Sequence, residues 1–159
     1  MQRRREGTEE GFTLIELMVV VLIIAILIAI TIPTFLGARQ RAQNRAAQSS
    51  LRNALTAAKT MYTDSNSYAA ADDSSTGLTT VEPSLTYVAH GTASTGSKVV
   101  SVHAQANQWS GAALSASGNC YFIRDVATGT SPTPGTTFGS GSTCTADSAD
   151  TNATGQSFP

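Results

Sequence analysis

Large apolar side chains are scarce over most of this chain. From Thr63 to Pro159, Leu, Ile, Val and Phe fill 13 of 97 positions, a composition that borders on disorder and excludes a region folding on hydrophobic burial alone. Cysteine is almost missing too: Cys120 and Cys144 stand alone, so no CxxC motif or thiolate metal cluster can form. The two histidines, His90 and His103, are isolated from each other along the chain, and no G-x-S-x-G elbow accompanies them. Neither catalysis nor a cofactor is expected, and no metal site is assigned. Acidic residues are absent between Ala38 and Lys59, where Arg39, Arg41, Arg45, Arg52 and Lys59 make a cationic stem. From Thr60 onward seven acidic residues face only Lys98 and Arg124, so the net charge of -1 hides a cationic stem and an anionic head.

The missing apolar residues are concentrated at one end. Between Phe12 and Leu36, 20 of 25 residues are apolar, and seven of the eight isoleucines lie there. Leu17 to Ala38 is uncharged over 22 residues, roughly 33 Å as a helix, against a hydrocarbon thickness of about 30 Å. A spanning helix fits by length. The competing reading, a secretory signal peptide, needs a shorter apolar run ending in a small-x-small site, and nothing of that kind follows Ile30. Arg3, Arg4 and Arg5 place the start in the cytoplasm by the positive-inside rule, although Arg39 and Arg41 on the far side weaken the asymmetry. Glu16 breaks the apolar run. A carboxylate there either snorkels to the membrane edge or has a function that requires a partner.

An even cysteine count in a core-poor region beyond a membrane segment reads as one disulfide, Cys120 to Cys144, with two free thiols as the alternative.

Gly11-Phe12-Thr13-Leu14-Ile15-Glu16-Leu17, after a short polar leader, resembles the cleavage and methylation motif of type IV pilins and their pseudopilin relatives. Ile32-Pro33 and the Arg- and Ala-rich stretch that follows are also similar to pilins. The resemblance implies that a prepilin peptidase removes residues 1–11, cutting between Gly11 and Phe12, and that the new amine of Phe12 is N-methylated. It implies a homo-oligomeric helical filament in which Glu16 pairs with the Phe12 amine of a neighbouring subunit and fixes register. Its further partners are membrane lipid, a platform protein and an assembly ATPase. It implies a single-pass inner-membrane precursor with a cytoplasmic N-terminus, released into an extracellular pilus. The alternatives are a pseudopilin of a type II secretion system and, from another class, a monomeric membrane-anchored binding protein with an extracytoplasmic head.

The expected fold class is α+β, with a spanning filament-core helix over 12–38, an amphipathic helix over 39–62, a head over 63–126 and a loop-rich C-terminal region over 127–159. Pro33 lacks an amide hydrogen and predicts a kink or local unwinding, with Gly37 a second soft point. Ala47, Leu51, Ala54, Leu55, Ala58, Met61 and Tyr62 share one helical face. Direct nucleic-acid binding by the opposite basic face is not expected, because five charges over about six turns usually mark a solvated or subunit-facing surface. Asp64 to Ser75 reads as loop. Leu85–Ala89, Lys98–Ala104, Gln108–Leu114 and Cys120–Val126 read as four strands of an antiparallel meander. Gly, Ser, Thr and Pro make up 22 of the 33 residues from Ala127, so little regular structure is expected there beyond the disulfide, with Phe138 and Phe158 as anchors. Trp109 is expected to cover the sheet rather than stack a ligand. Asp150-x-Asn152 opens like an oxygen-rich calcium loop but has no distal glutamate, so calcium is not expected. Asn152-Ala153-Thr154 is a glycosylation sequon.

Overall fold

The structure, a computed structural model, describes residues 11–129 and 132–159. Its elements are helix α1 (Leu14–Ser65), a 3-10 turn (Leu78–Thr80), strands β1 (Thr86–Ala89), β2 (Val99–Ala104), β3 (Gln108–Leu114), β4 (Cys120–Val126) and β5 (Gly135–Gly141), and helix α2 (Ala146–Asn152). Two compact units divide at Arg39 and Gln40.

In the first unit every residue from Gly11 to Leu36 is exposed. Ile30 is 68% accessible and Leu14 76%, so the helix shows apolar surface on all sides and is long and apolar enough to cross a membrane. α1 runs through Pro33 and Gly37 without a break, and no local unwinding accompanies the proline in the single chain. Beside it Thr31 Oγ1 donates to the Leu27 carbonyl at 2.6 Å and Thr34 Oγ1 to that of Ile30 at 3.3 Å, local bonds that hold the turns around the missing amide.

In the second unit Ala47, Leu51, Ala54, Leu55 and Ala58 are buried, with Met61 and Tyr62 partly buried against the same core. This is the face that the 3.6-residue period selects. The sheet order is β1-β2-β3-β4-β5. β2 to β5 pair antiparallel, but β1 pairs parallel to β2, with Thr86 opposite Val99, which corrects the all-antiparallel meander. The physical reason is the long link from His90 to Lys98. A tight hairpin turn would reverse the chain, whereas this link carries it back to start β2 alongside the start of β1. Ser94 anchors the return, its hydroxyl donating to the Val99 carbonyl, with that of Gly96 further off at 3.1 Å, and accepting from the Leu114 amide.

β4 is buried on both faces. Tyr121 and Ile123 join the core under α1, while Cys120 and Phe122 form a second cluster with Ala112, Cys144, Ala149 and Ala153 under α2. The expectation of little regular structure from Ala127 onward is therefore corrected. β5 forms a seven-residue ladder with β4, and α2 is capped by Thr145, whose side chain accepts from the Ser148 amide. Gly139 permits this packing, since a Cβ there would strike the Asn152 backbone. Phe138 and Phe158 do anchor the tail, with ring centroids 4.7 Å apart and the Arg52 guanidinium over Phe158.

Trp109 is fully buried, and its Nε1 donates to the Ala71 carbonyl at 3.0 Å, as expected of a core residue. Its ring lies over Gly111, where a Cβ would collide with it. The helix-to-sheet loop is tied down at buried Asp125, which receives Tyr68 Oη at 2.6 Å, Lys59 Nζ at 2.8 Å and the Thr136 hydroxyl. Burial alone would push the Asp125 carboxyl up, but hydrogen bonds from Lys59, Thr136 and Tyr68, with the charge of Lys59, outweigh it and hold the carboxyl below its ordinary value. Burial, then the bond to Asp125, pushes the Tyr68 phenol up. Because the folded carboxyl titrates below the unfolded one, its stabilisation is complete above about pH 4 and is lost as pH falls through the depressed folded value. Asp125→Asn should cost about 1–3 kcal/mol at neutral pH. Thermal unfolding of the full-length protein should show the gap from native closing below about pH 4.

Candidate functional site at the start of the long helix

The sequence-predicted residues Gly11, Phe12 and Glu16 lie within six positions at the entry to α1. Gly11 has nothing within 4 Å of where a Cβ would sit, and Phe12 is 90% accessible. Among the described residues nothing crowds the backbone at Gly11 and Phe12. Residues 1–10, including Arg3 to Arg5 and the rest of the expected leader, lie outside the described residues.

Thr13 and Glu16 form a reciprocal pair. The Thr13 amide donates to Glu16 Oε2 at 2.9 Å, the Thr13 hydroxyl donates to the same oxygen at 2.6 Å, and the Glu16 amide donates back to Thr13 Oγ1 at 3.3 Å. This is a capping box, with threonine before the first turn and glutamate three residues on. It satisfies two amides that have no intrahelical partner and sets the carboxylate against the positive end of the helix. The signal is in the sequence, since T-x-x-E precedes an apolar run, and Glu16 serves both the cap and the methylation motif. The carboxylate is held within its own chain by neutral donors, which compensate it partially and leave its charge unneutralised.

The other groups weighed from the sequence fall elsewhere. Of the stem cations, Lys59 is engaged by Asp125 and Arg52 by the Phe158 ring. Cys120 and Cys144 are joined in a disulfide across 24 positions. Asp150 and Asn152 lie in α2 rather than in a loop, which removes the open backbone that a calcium loop uses. His90 and His103, separate along the chain, are brought together, their ring centroids 4.6 Å apart. Sequence spacing gave no sign of this, because the contact is made by β1 and β2 pairing in parallel.

Residues 8–32 match the family described as the prokaryotic N-terminal methylation motif, the prepilin signature shared by type IV pilins and pseudopilins. No curated protein and no solved structure matches the chain. The motif and the long apolar helix behind it fit a membrane-anchored precursor of pilin or pseudopilin type, processed by a prepilin peptidase and oligomerising into filaments. Such proteins are structural rather than enzymatic.

Proposed function

We propose that this chain is a structural subunit of a type IV pilus, stored in the inner membrane and polymerised into a surface filament through α1. The observation that carries the reading is the methylation motif at residues 8–32 running directly into a helix with apolar surface on every side. A lone helix of that kind is stable in lipid, and copies of it can pack on one another when lipid is exchanged for neighbours. On this reading a prepilin peptidase cuts after Gly11, the Phe12 amine is methylated and remains cationic, and a platform protein with its ATPase lifts the subunit out of the membrane. The head, with its acidic surface, faces outward.

Mass spectrometry of protein sheared from the cell surface tests this. The expected N-terminal peptide starts at Phe12 and carries one methyl group on its amine. A surface protein that still contains Arg3 to Gly11 would overturn the assignment. Loss of the chain from the surface on deletion of a type II secretion channel, rather than of a pilus ATPase, would assign it to a secretion pseudopilus instead.

A further inference from the structure

Both histidines of the chain meet two carboxylates at one place in the head, although the four residues span positions 90 to 150. His90 follows the end of β1, His103 lies on β2, and Asp147 and Asp150 stand one turn apart on α2. His90 Nδ1 is 2.7 Å from Asp147 Oδ1, and His103 Nδ1 is 2.5 Å from Asp150 Oδ2. One ligand atom from each of His103, Asp147 and Asp150 lies within 4.8 Å of the others.

The surroundings orient these atoms. Asp150 Oδ1 accepts from Gln108 Nε2 at 2.9 Å and from the Ser110 hydroxyl, which leaves Oδ2 directed at the histidine. Arg124 donates to the Asp150 carbonyl. The start of α2 is pinned by the Ala146 amide donating to Ser101 Oγ, whose hydroxyl bonds the His90 carbonyl, and by the adjacent disulfide. Ligand carboxylates held by outer hydrogen bonds on a fixed backbone are the arrangement that tunes metal sites.

The two His–Asp pairs stand side by side, their imidazole rings 4.6 Å apart, so that one imidazole and both carboxylates lie close enough to share a single ion. We propose that His103, Asp147 and Asp150 bind a first-row divalent cation, with His90 orienting Asp147. The nitrogen donor favours zinc or a neighbouring transition metal over calcium or magnesium, which prefer all-oxygen sites. Three protein ligands leave a coordination position for water.

The test is calorimetric titration of the untagged full-length protein in detergent with Zn2+, alongside His103→Gln and Asp147→Asn. Asp147 is exposed, so its substitution leaves the fold in place even if that of His103 does not. The expected result is one Zn2+ per chain, affinity lower by about tenfold or more in each variant, and a zinc-dependent rise in melting temperature confined to the native protein. Absence of saturable zinc binding would overturn the proposal. So would equal binding by native protein and Asp147→Asn, or displacement of zinc by calcium in about hundredfold excess.

Discussion

Cells whose only copy of this subunit carries Glu16→Gln should display no filaments, while cleavage, methylation and membrane insertion proceed normally. Glutamine is chosen because it retains the reciprocal bond to Thr13 that a capping box needs, so the helix start seen here survives and only the charge is lost. In the membrane the native carboxylate lies near the cytoplasmic edge with water in reach. In the proposed filament core that water is gone, and hydrogen bonds from Thr13 compensate its charge only in part. In the proposed filament the missing cation is the methylated amine of Phe12 on a neighbour. The next basic residue, Arg39, lies 23 positions further on, roughly 35 Å along a helix. Breaking one side of a buried pair costs about 3–5 kcal/mol, so sheared pilin should fall by at least about a hundredfold, measured by immunoblot against total cell pilin. Thr13→Val, which removes the hydroxyl but keeps the charge, should still assemble. Normal filament yield from Glu16→Gln would show that helix packing alone sets register.

Cys144→Ser should lower the melting temperature of the full-length protein by on the order of 10–20 °C. Closing a loop across 24 positions is worth on the order of 3.5 kcal/mol in the chain-entropy model, and a domain of this size shifts by several degrees per kcal/mol. The bridge matters beyond entropy because the cluster it joins is thin: among its buried members in the described residues Phe122 is the one large side chain, beside the small Ala112, Ala149 and Ala153, with partly buried Leu114 packed against them. That cluster buries little area with which to hold α2 by itself. Calorimetry with and without reductant decides the matter, and superimposable melts would mean that α2 is held by its hydrogen bonds to Ser101 and His103 instead.

Much of the fold was legible in local pattern. The helical face of α1 through Leu51 and Leu55 follows from burial at a 3.6-residue period, and strands β3 and β4 follow to their end residues from short runs bounded by Gly- and Asn-containing turns, not from alternation, since both are buried on both faces. β5 and α2 were hidden for a shared reason. Thr136, Thr137 and Phe138 carry strand propensity, and Thr145 to Ser148 a cap, but both lie among glycines, serines and threonines that suggest loop by composition. Their order comes from β4, a partner that pairs with one and packs under the other. The parallel β1 was illegible because pairing direction is set by a link of nine residues with no helical pattern. Of the site, Gly11, Phe12 and Glu16 could be read from the motif; the bond from Thr13 to Glu16 was available in the same residues, whereas the His–Asp cluster depends on contacts more than forty positions apart.

The disulfide also has a mechanical consequence. The covalent ring from Cys120 to Cys144 encloses β4, the link after it and β5. A pull applied between α1 and the C-terminal residues is carried across the sulfur bridge, so this hairpin lies outside the path of the force. The sequence separation of 24 that the ring closes is withheld from extension, roughly 80 Å of contour length per subunit. A pull that draws out strands β1 to β3 and α2 therefore leaves β4 and β5 within one covalent ring, whose closure lowers the entropy they lose in pairing again.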